Sequence, residues 1–191
     1  RCIGQWLEHW AVQAPERAYL AERRGAGWFS LSYAQVRQRV GALAQGLLEL
    51  DIAAGRPLLM LSENDLDQAL LTLAAMHVGI PVSTISVAYS RNTASGCAKL
   101  KAIVEVLKPA LIFVNDGDAY CRAIELLGPD CPVVVARNAQ EIPGALPLSQ
   151  LYKAESPAVM AAQVPFPSAV KSSSNSAAPM AVMAGAAAMC G

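Results

Sequence analysis

The chain has 191 residues, 54% of them hydrophobic and 16% charged, with 15 Lys and Arg balanced by 15 Asp and Glu. That length and apolar content suffice for a domain with its own core and exclude a disordered chain. A net charge of zero argues against a nucleic-acid partner, which needs a cationic surface, and no apolar run approaches the roughly 20 residues of a membrane span.

Ile3, Trp6, Leu7 and Trp10 recur at helical spacing, and Ala14-Pro15 ends that helix because the residue before proline avoids the α region. Ala18–Glu22 and Trp28–Leu31 read as two strands around the turn Arg24-Gly25-Ala26-Gly27. Ser32-Tyr33-Ala34-Gln35 has the pattern of a capping box. It opens an amphipathic helix carrying Val36, Val40, Leu43, Leu47 and Leu50, with Gly55 beyond it. A rhythm of apolar strands and helices follows. Pro57–Leu61 is a strand, and Asn64 is expected to cap a helix carrying Leu66, Leu70, Leu73 and Met76, closed by a left-handed Gly79. Ile80–Ile85 is a second strand. Ser95 is expected to cap a helix with Leu100, Ile103, Val104 and Leu107, stopped by Lys108-Pro109. Leu111–Val114 is a third strand, Asp116 or Asp118 caps a helix through Ile124 and Leu127 with Gly128 after it, and Pro132–Ala136 is a fourth strand.

Continuously apolar strands alternating with amphipathic helices predict a parallel sheet covered on both faces. With right-handed crossovers this is an open, doubly wound α/β sheet, preceded by a small hairpin. Residues 1–155 form the expected domain. Residues 156–191 contain one charged residue, Lys171, no sustained period, and an Ala/Ser/Pro-rich composition that reads as linker or poorly ordered chain.

The five cysteines, Cys2, Cys97, Cys121, Cys131 and Cys190, form no C-x-x-C pair, and histidine occurs only at His9 and His77. This points to reduced thiols in a cytoplasm rather than to a metal or disulfide framework. The first residues lack the apolar core of a secretory leader. A start at Arg1 rather than Met suggests that the natural beginning is missing.

No G-x-G-x-x-G or Walker-type loop occurs, nor a G-x-S-x-G elbow. His77, beside Gly79, is expected to cap the last carbonyls of its helix or to favour its negative end. His9 reads as a surface residue. Cys97 lies near a helix start but is read as a small buried residue. Asp65 and Asp67 suit the first turn of a helix rather than a metal. No residue is assigned a catalytic, cofactor-binding or metal-ligating role. In open α/β sheets ligands lie beyond the carboxyl ends of the strands, here Ser62-Glu63-Asn64, Ser86–Ser90 and Asn115-Asp116-Gly117.

Several segments resemble the adenylate-forming (AMP-binding) acyl-CoA synthetases. Leu31-Ser32-Tyr33-Ala34-Gln35-Val36 is similar to the family's Leu-Thr-Tyr-x-Glu-Leu motif. Leu73 to Val82 is similar to its helix-to-strand motif Leu-Ala-x-x-x-x-Gly-x-x-x-Val-Pro. Trp6–Trp10 with Ala14–Arg17, and Leu100–Val114, also fit. The wording of Ala75–Pro81 and of Ala88-Tyr89-Ser90 looks most like the feruloyl-CoA synthetases. The resemblance covers roughly residues 3–155. It implies a ligase in which a carboxylate attacks ATP to form an acyl-adenylate and pyrophosphate, and CoA then displaces AMP. The substrate class would be a small aromatic or acyl carboxylic acid, with ATP, Mg2+ and CoA as cofactors of the full-length family.

The chain departs from that family near Lys171. The expected Ser/Thr/Gly-rich phosphate loop ending in Pro-Lys-Gly is replaced by Ser172-Ser173-Ser174-Asn175-Ser176-Ala177-Ala178-Pro179-Met180. A loop that wraps phosphate with backbone N–H groups needs the freedom of glycine, and no glycine stands between Lys171 and Gly185. Read one base out of step, serine, alanine and proline codons become Phe/Leu, Gly/Ser and Thr. A shifted frame would therefore restore something like the missing loop, a hypothesis that the encoding DNA tests. The chain alone is expected to be inactive, to need no cofactor, and to self-associate through an exposed sheet or subdomain face. Two other readings keep the fold: a non-catalytic small-molecule-binding or regulatory α/β module, and a flavodoxin-like binder.

Overall fold

The computed structural model describes residues 3–50, 52, 55–91, 96–156, 159 and 183–184. In chain order the elements are α1 (Ile3–Gln13), β1 (Ala18–Arg24), β2 (Gly27–Ser32), α2 (Tyr33–Glu49), β3 (Leu58–Leu61), α3 (Leu66–His77), β4 (Val82–Thr84), α4 (Val87–Ser90), α5 (Gly96–Leu107), β5 (Leu111–Asp116), α6 (Gly117–Leu127), β6 (Val133–Arg137), β7 (Leu146–Pro147) and β8 (Met183–Ala184). Short 3-10 turns at Ala139–Glu141 and Leu148–Leu151 flank β7.

The main sheet has five strands in the order β4-β3-β5-β6-β7, all paired in parallel. Its two faces are separately packed. Leu58, Met60, Leu111, Phe113 and Val134 join α2 and α3, whereas Leu59, Leu61, Ile112, Val114, Val133 and Val135 join α5 and α6. Burial on both sides is the reason the inner strands carry the unbroken apolar runs Leu58–Leu61, Leu111–Val114 and Val133–Ala136. The second sheet is the β1–β2 hairpin with β8 paired in parallel against Ala21 and Glu22. No helix among the described residues is long and apolar enough to cross a membrane.

Local signals place most boundaries. The Ser32 hydroxyl accepts from the Gln35 N–H, and the Gln35 side chain accepts from the Ser32 N–H, completing the capping box of α2. Asp116 caps α6, and Gly128 closes that helix in the left-handed region at φ 50°.

Four expectations need correction. Asp65, not Asn64, caps α3: it is extended at φ −142°, and its carboxylate reaches the Gln68 N–H. Met76 is exposed, while Leu71, Ala74, Ala75 and His77 point inward. This helix packs against α1 and α2 as well as the sheet, so its buried arc is wider than one stripe. The second strand is only three residues long and lacks a fully buried position, because β4 is the edge of the sheet. A fifth strand, β7, follows β6 and carries only Leu146 and Pro147, too short for a periodic signal. The expected Ser95 cap lies outside the described residues. Of the segment after Glu155, Val159 is buried in the core and Met183–Ala184 pairs with β1; residues 160–182 and 185–191 lie outside the described residues.

Candidate functional site

The chain enters the main sheet at β3, crosses to β4 on one side, and returns to β5 on the other. The strand order therefore reverses between β3 and β5, and a crevice opens beyond their carboxyl ends, the position at which open α/β sheets take ligands. Leu61 pairs with Val114, so the next residues, Ser62 and Asn115, sit side by side at the mouth. Both are buried. Asp65 ties Asn115 to the start of α3: its Oδ1 accepts from Gln68 N at 2.8 Å, and its Oδ2 accepts from Asn115 Nδ2 at 2.9 Å. Arg137, from the end of β6, lies 3.9 Å from both Asp65 and Asp116. Asn138, left-handed at φ 56°, donates to Asp116 Oδ1 at 3.0 Å and Asp118 Oδ2 at 2.8 Å.

The rim is ionic. Arg91 pairs with Glu63, and the Lys99 ammonium lies 5.3 Å from the Tyr89 ring centre. Glu22 of the hairpin reaches over to accept from the Leu66 N–H at 2.9 Å. Burial, followed by the Asp65 charge, pushes the Asp67 carboxyl up from its ordinary range. Burial likewise raises the Tyr120 phenol, whose oxygen lies toward Ser90 without reaching hydrogen-bond geometry.

Two features define what this crevice can do. The buried Ser62 Oγ and Asn115 Oδ1 have no hydrogen-bond partner among the described residues, and an orphaned buried polar atom costs about 1–3 kcal/mol unless water or a ligand satisfies it. The crevice is thus built to meet a polar group. The helix N-termini beside it, however, are closed to anions. Glu22 and Asp65 occupy the N–H groups that open α3, and Asp116 and Asp118 put two carboxylates at the start of α6. Phosphate is favoured where free N–H groups meet a positive helix end, and here carboxylates already hold that place. Among the described residues no group of three or more His, Cys, Asp or Glu is placed to hold a metal ion. The segment from Lys171 where a phosphate loop was sought lies outside the described residues apart from Met183 and Ala184. No step through ATP, Mg2+ or CoA is therefore assigned to the residues of the crevice.

Of the strand ends named from sequence, the fold brings Ser62, Asn115 and Asp116 together and sets Ser86–Ser90 on the rim. Asp65 had been read only as a dipole-matching acid. Arg137 and Asn138 were missed, although the same carboxyl-end rule applied to β6 points at them. His77, in the last turn of α3, is 2% exposed and faces Gly4 of α1. His9 is exposed between Trp6 and Trp10, and Cys97 is half-buried.

Asp65→Ala is expected to lower the unfolding free energy by about 2 kcal/mol, through loss of the α3 cap and abandonment of the Asn115 amide. Asp65→Ser, which keeps a capping oxygen, is expected to recover about half. Urea melts of the two variants check this, and equal losses would contradict it.

An open doubly wound parallel sheet with a polar crevice at its switch point, joined to a small hairpin sheet, defines the class of α/β domain. The particular family follows from comparison: the family model described as "AMP-binding enzyme" matches residues 7–183, and the chain belongs to that family. A curated relative, the mitochondrial medium-chain acyl-CoA ligase ACSF2 of Macaca fascicularis, is 29% identical over 151 residues, which is 79% of this chain and 22% of that protein. The acetoacetyl-CoA synthetase of Streptomyces lividans superposes with a TM-score of 0.67 at 15% identity, over 81% of this chain and 25% of its own. The fatty acyl-adenylate ligase of L. pneumophila, solved with acyl adenylate and pyrophosphate, superposes with a TM-score of 0.58 at 16% identity, over 87% of this chain and 26% of its own. These likenesses confirm the expected fold of the N-terminal portion. The chain spans about a fifth of the curated relative's length.

Proposed function

We propose that this chain is the N-terminal portion of an ATP-dependent carboxylic acid–CoA ligase, and that these 191 residues do not by themselves form an acyl-adenylate. The observation that carries the first part is the family match over residues 7–183, supported by the acyl-CoA ligase relative. In such a ligase the acid's carboxylate oxygen bonds to the α-phosphorus of ATP as pyrophosphate leaves, and the CoA thiol then takes the acyl group as AMP leaves. This portion supplies the scaffold and the crevice at Ser62, Asp65 and Asn115. The second part rests on the anion-closed helix N-termini of that crevice and on the glycine-free run that follows Lys171.

A pyrophosphate-release assay on the chain with ATP, Mg2+ and ferulate or octanoate is expected to give no turnover. Release dependent on both ATP and acid would overturn the second part. For the acid, the similarity of Ala75–Pro81 and Ala88–Ser90 to the feruloyl-CoA synthetases supports a hydroxycinnamate. The relative, a medium-chain acyl-CoA ligase, favours an aliphatic acid as the second reading. AMP formation with the two acids, in a protein where this chain is continued by the rest of a ligase, separates them; a tenfold preference for octanoate would discard the aromatic reading.

A further inference from the structure

A cavity of about 650 Å³ lies along α6 and shares no lining residue with the crevice; its size is that of a small-molecule site. Cys121, Ile124, Glu125 and Gly128 line one wall, and their helical spacing puts them on one face of α6. The turn into β6 and residues 141–145, which lead to β7, supply the other walls. Gly128 and Gly144 are left-handed at φ 50° and 77°. A methyl added at either meets nothing within 4 Å, so the chain turns away at both points and leaves the space open.

These walls are rich in acceptors and poor in donors. Pro129, Pro132 and Pro143 line the cavity and carry no N–H. The N–H groups of Gly128, Ile142 and Ala145 are spent on the carbonyls of Ile124, Ala139 and Ile142. Helix α6 ends at Gly128, in the wall itself, and the carboxyl end of a helix favours a cation. Two carboxylates, Glu125 and Glu141, line the cavity with one cation, Arg122. Arg122 is paired with Glu125 across an exposed bridge, a kind of contact that competes weakly. Glu141 receives a 3.5 Å contact from the neighbouring Gln140 amide and forms no ion pair among the described residues. We propose that this cavity is a second ligand site, which takes a small organic ammonium ion with an apolar body.

An ammonium group brings donors and no acceptor, which complements walls of the opposite kind. Its charge is matched by Glu141 and by the negative end of α6, and its apolar body by Ile124 and Ile142. The Cys131 thiol adds no competing charge, because burial and then the Asp130 carboxylate hold its pKa above the ordinary value. An anionic ligand meets the reverse: carboxylates, a negative helix end, and few N–H groups left to receive it. The site is also preformed, since prolines and already bonded N–H groups fix the backbone around it. It stands on residues away from the crevice and is independent of the ligase reading.

Amide NMR on the full 191-residue chain, titrated at neutral pH with benzylammonium chloride, benzyl alcohol or benzoate, tests this. Benzylammonium is expected to give saturable shifts at Gly128, Gly144 and Ala145, half complete at about 1 mM. The alcohol, of the same shape, is expected to bind about tenfold more weakly, and benzoate not to bind. Glu141 is exposed, so Glu141→Lys is expected to leave the urea midpoint unchanged while weakening benzylammonium about tenfold. Equal affinity for the alcohol, unchanged affinity in Glu141→Lys, shifts that never saturate, or shifts gathered at Ser62 and Asn115 instead would each overturn the proposal. Tighter binding of N-acetyl-lysine methylamide than of benzylammonium would give the site to a partner's lysine and discard the free amine.

Discussion

Phe113→Ala is expected to remove about 3–5 kcal/mol of stability, the range for emptying a large aromatic site in a packed core. Phe113 is fully buried on β5, the strand flanked by β3 and β6. It pairs with Met60 on one side and Val134 on the other. All three belong to the cluster that also holds α2, α3 and the hairpin residues Leu20 and Leu31. A hole at this point is bounded by backbone hydrogen bonds on both sides, so the sheet cannot collapse into it. A domain of this kind is stable by about 5–15 kcal/mol, so one side chain carries a large share of that margin. Phe113→Leu, which refills most of the volume, is expected to cost about 1–1.5 kcal/mol. Urea unfolding with an unchanged m-value measures both. A loss below about 1 kcal/mol for the alanine variant would mean that β5 is not the central strand.

The second large effect has the opposite sign from the one local rules predict. Gly46 lies inside α2, where alanine would ordinarily stabilise by about 1 kcal/mol. In the fold, a methyl at Gly46 would fall on the Leu151 carbonyl oxygen and lie 2.7 Å from the carbonyl carbon. Those atoms are backbone and cannot swing aside. They belong to a segment fastened along α2 by Lys153 N to Ala42 O at 3.2 Å and Ser156 Oγ to Gln45 Oε1 at 2.7 Å. Gly46→Ala is therefore expected to cost about 3 kcal/mol, the upper range for overpacking. Gly27→Ala, where an added methyl meets nothing within 4 Å, is expected to shift stability by less than about 0.5 kcal/mol. Thermal or urea melts of the pair decide the matter. A stabilised Gly46→Ala would show that the Leu148–Ser156 segment does not rest on α2.

The crevice illustrates why a site is harder to read than a fold. Asn115 and Asp65 are 50 residues apart in sequence, and each alone has an ordinary local explanation, a strand end and a helix cap. Their partnership arises only because β3 and β5 become neighbours. The same holds for His77, whose position at a helix end gives no sign that Gly4 of α1 covers it. The missed β7 is a different case. Two residues carry no period, and their pairing with Val134 and Val135 exists only because the Ala139–Glu141 turn brings the chain back alongside β6.

What the residues determined unaided are the features settled within a turn or two of the chain: the Ser32/Gln35 capping box, the left-handed Gly79, the alternation of apolar strand and amphipathic helix, and so the doubly wound class. These follow from backbone sterics and from burial over short spans, which neighbours in sequence decide for themselves. Strand order, the edge position of β4, the close approach of Gly46 to Leu151, and the Glu8–Arg37–Glu155 clasp, whose Arg37 and Glu155 stand 118 residues apart, were decided by the tertiary structure alone. Each depends on loop closures that bring together groups with no local reason to meet, and on a packing density that leaves no alternative room once they have met.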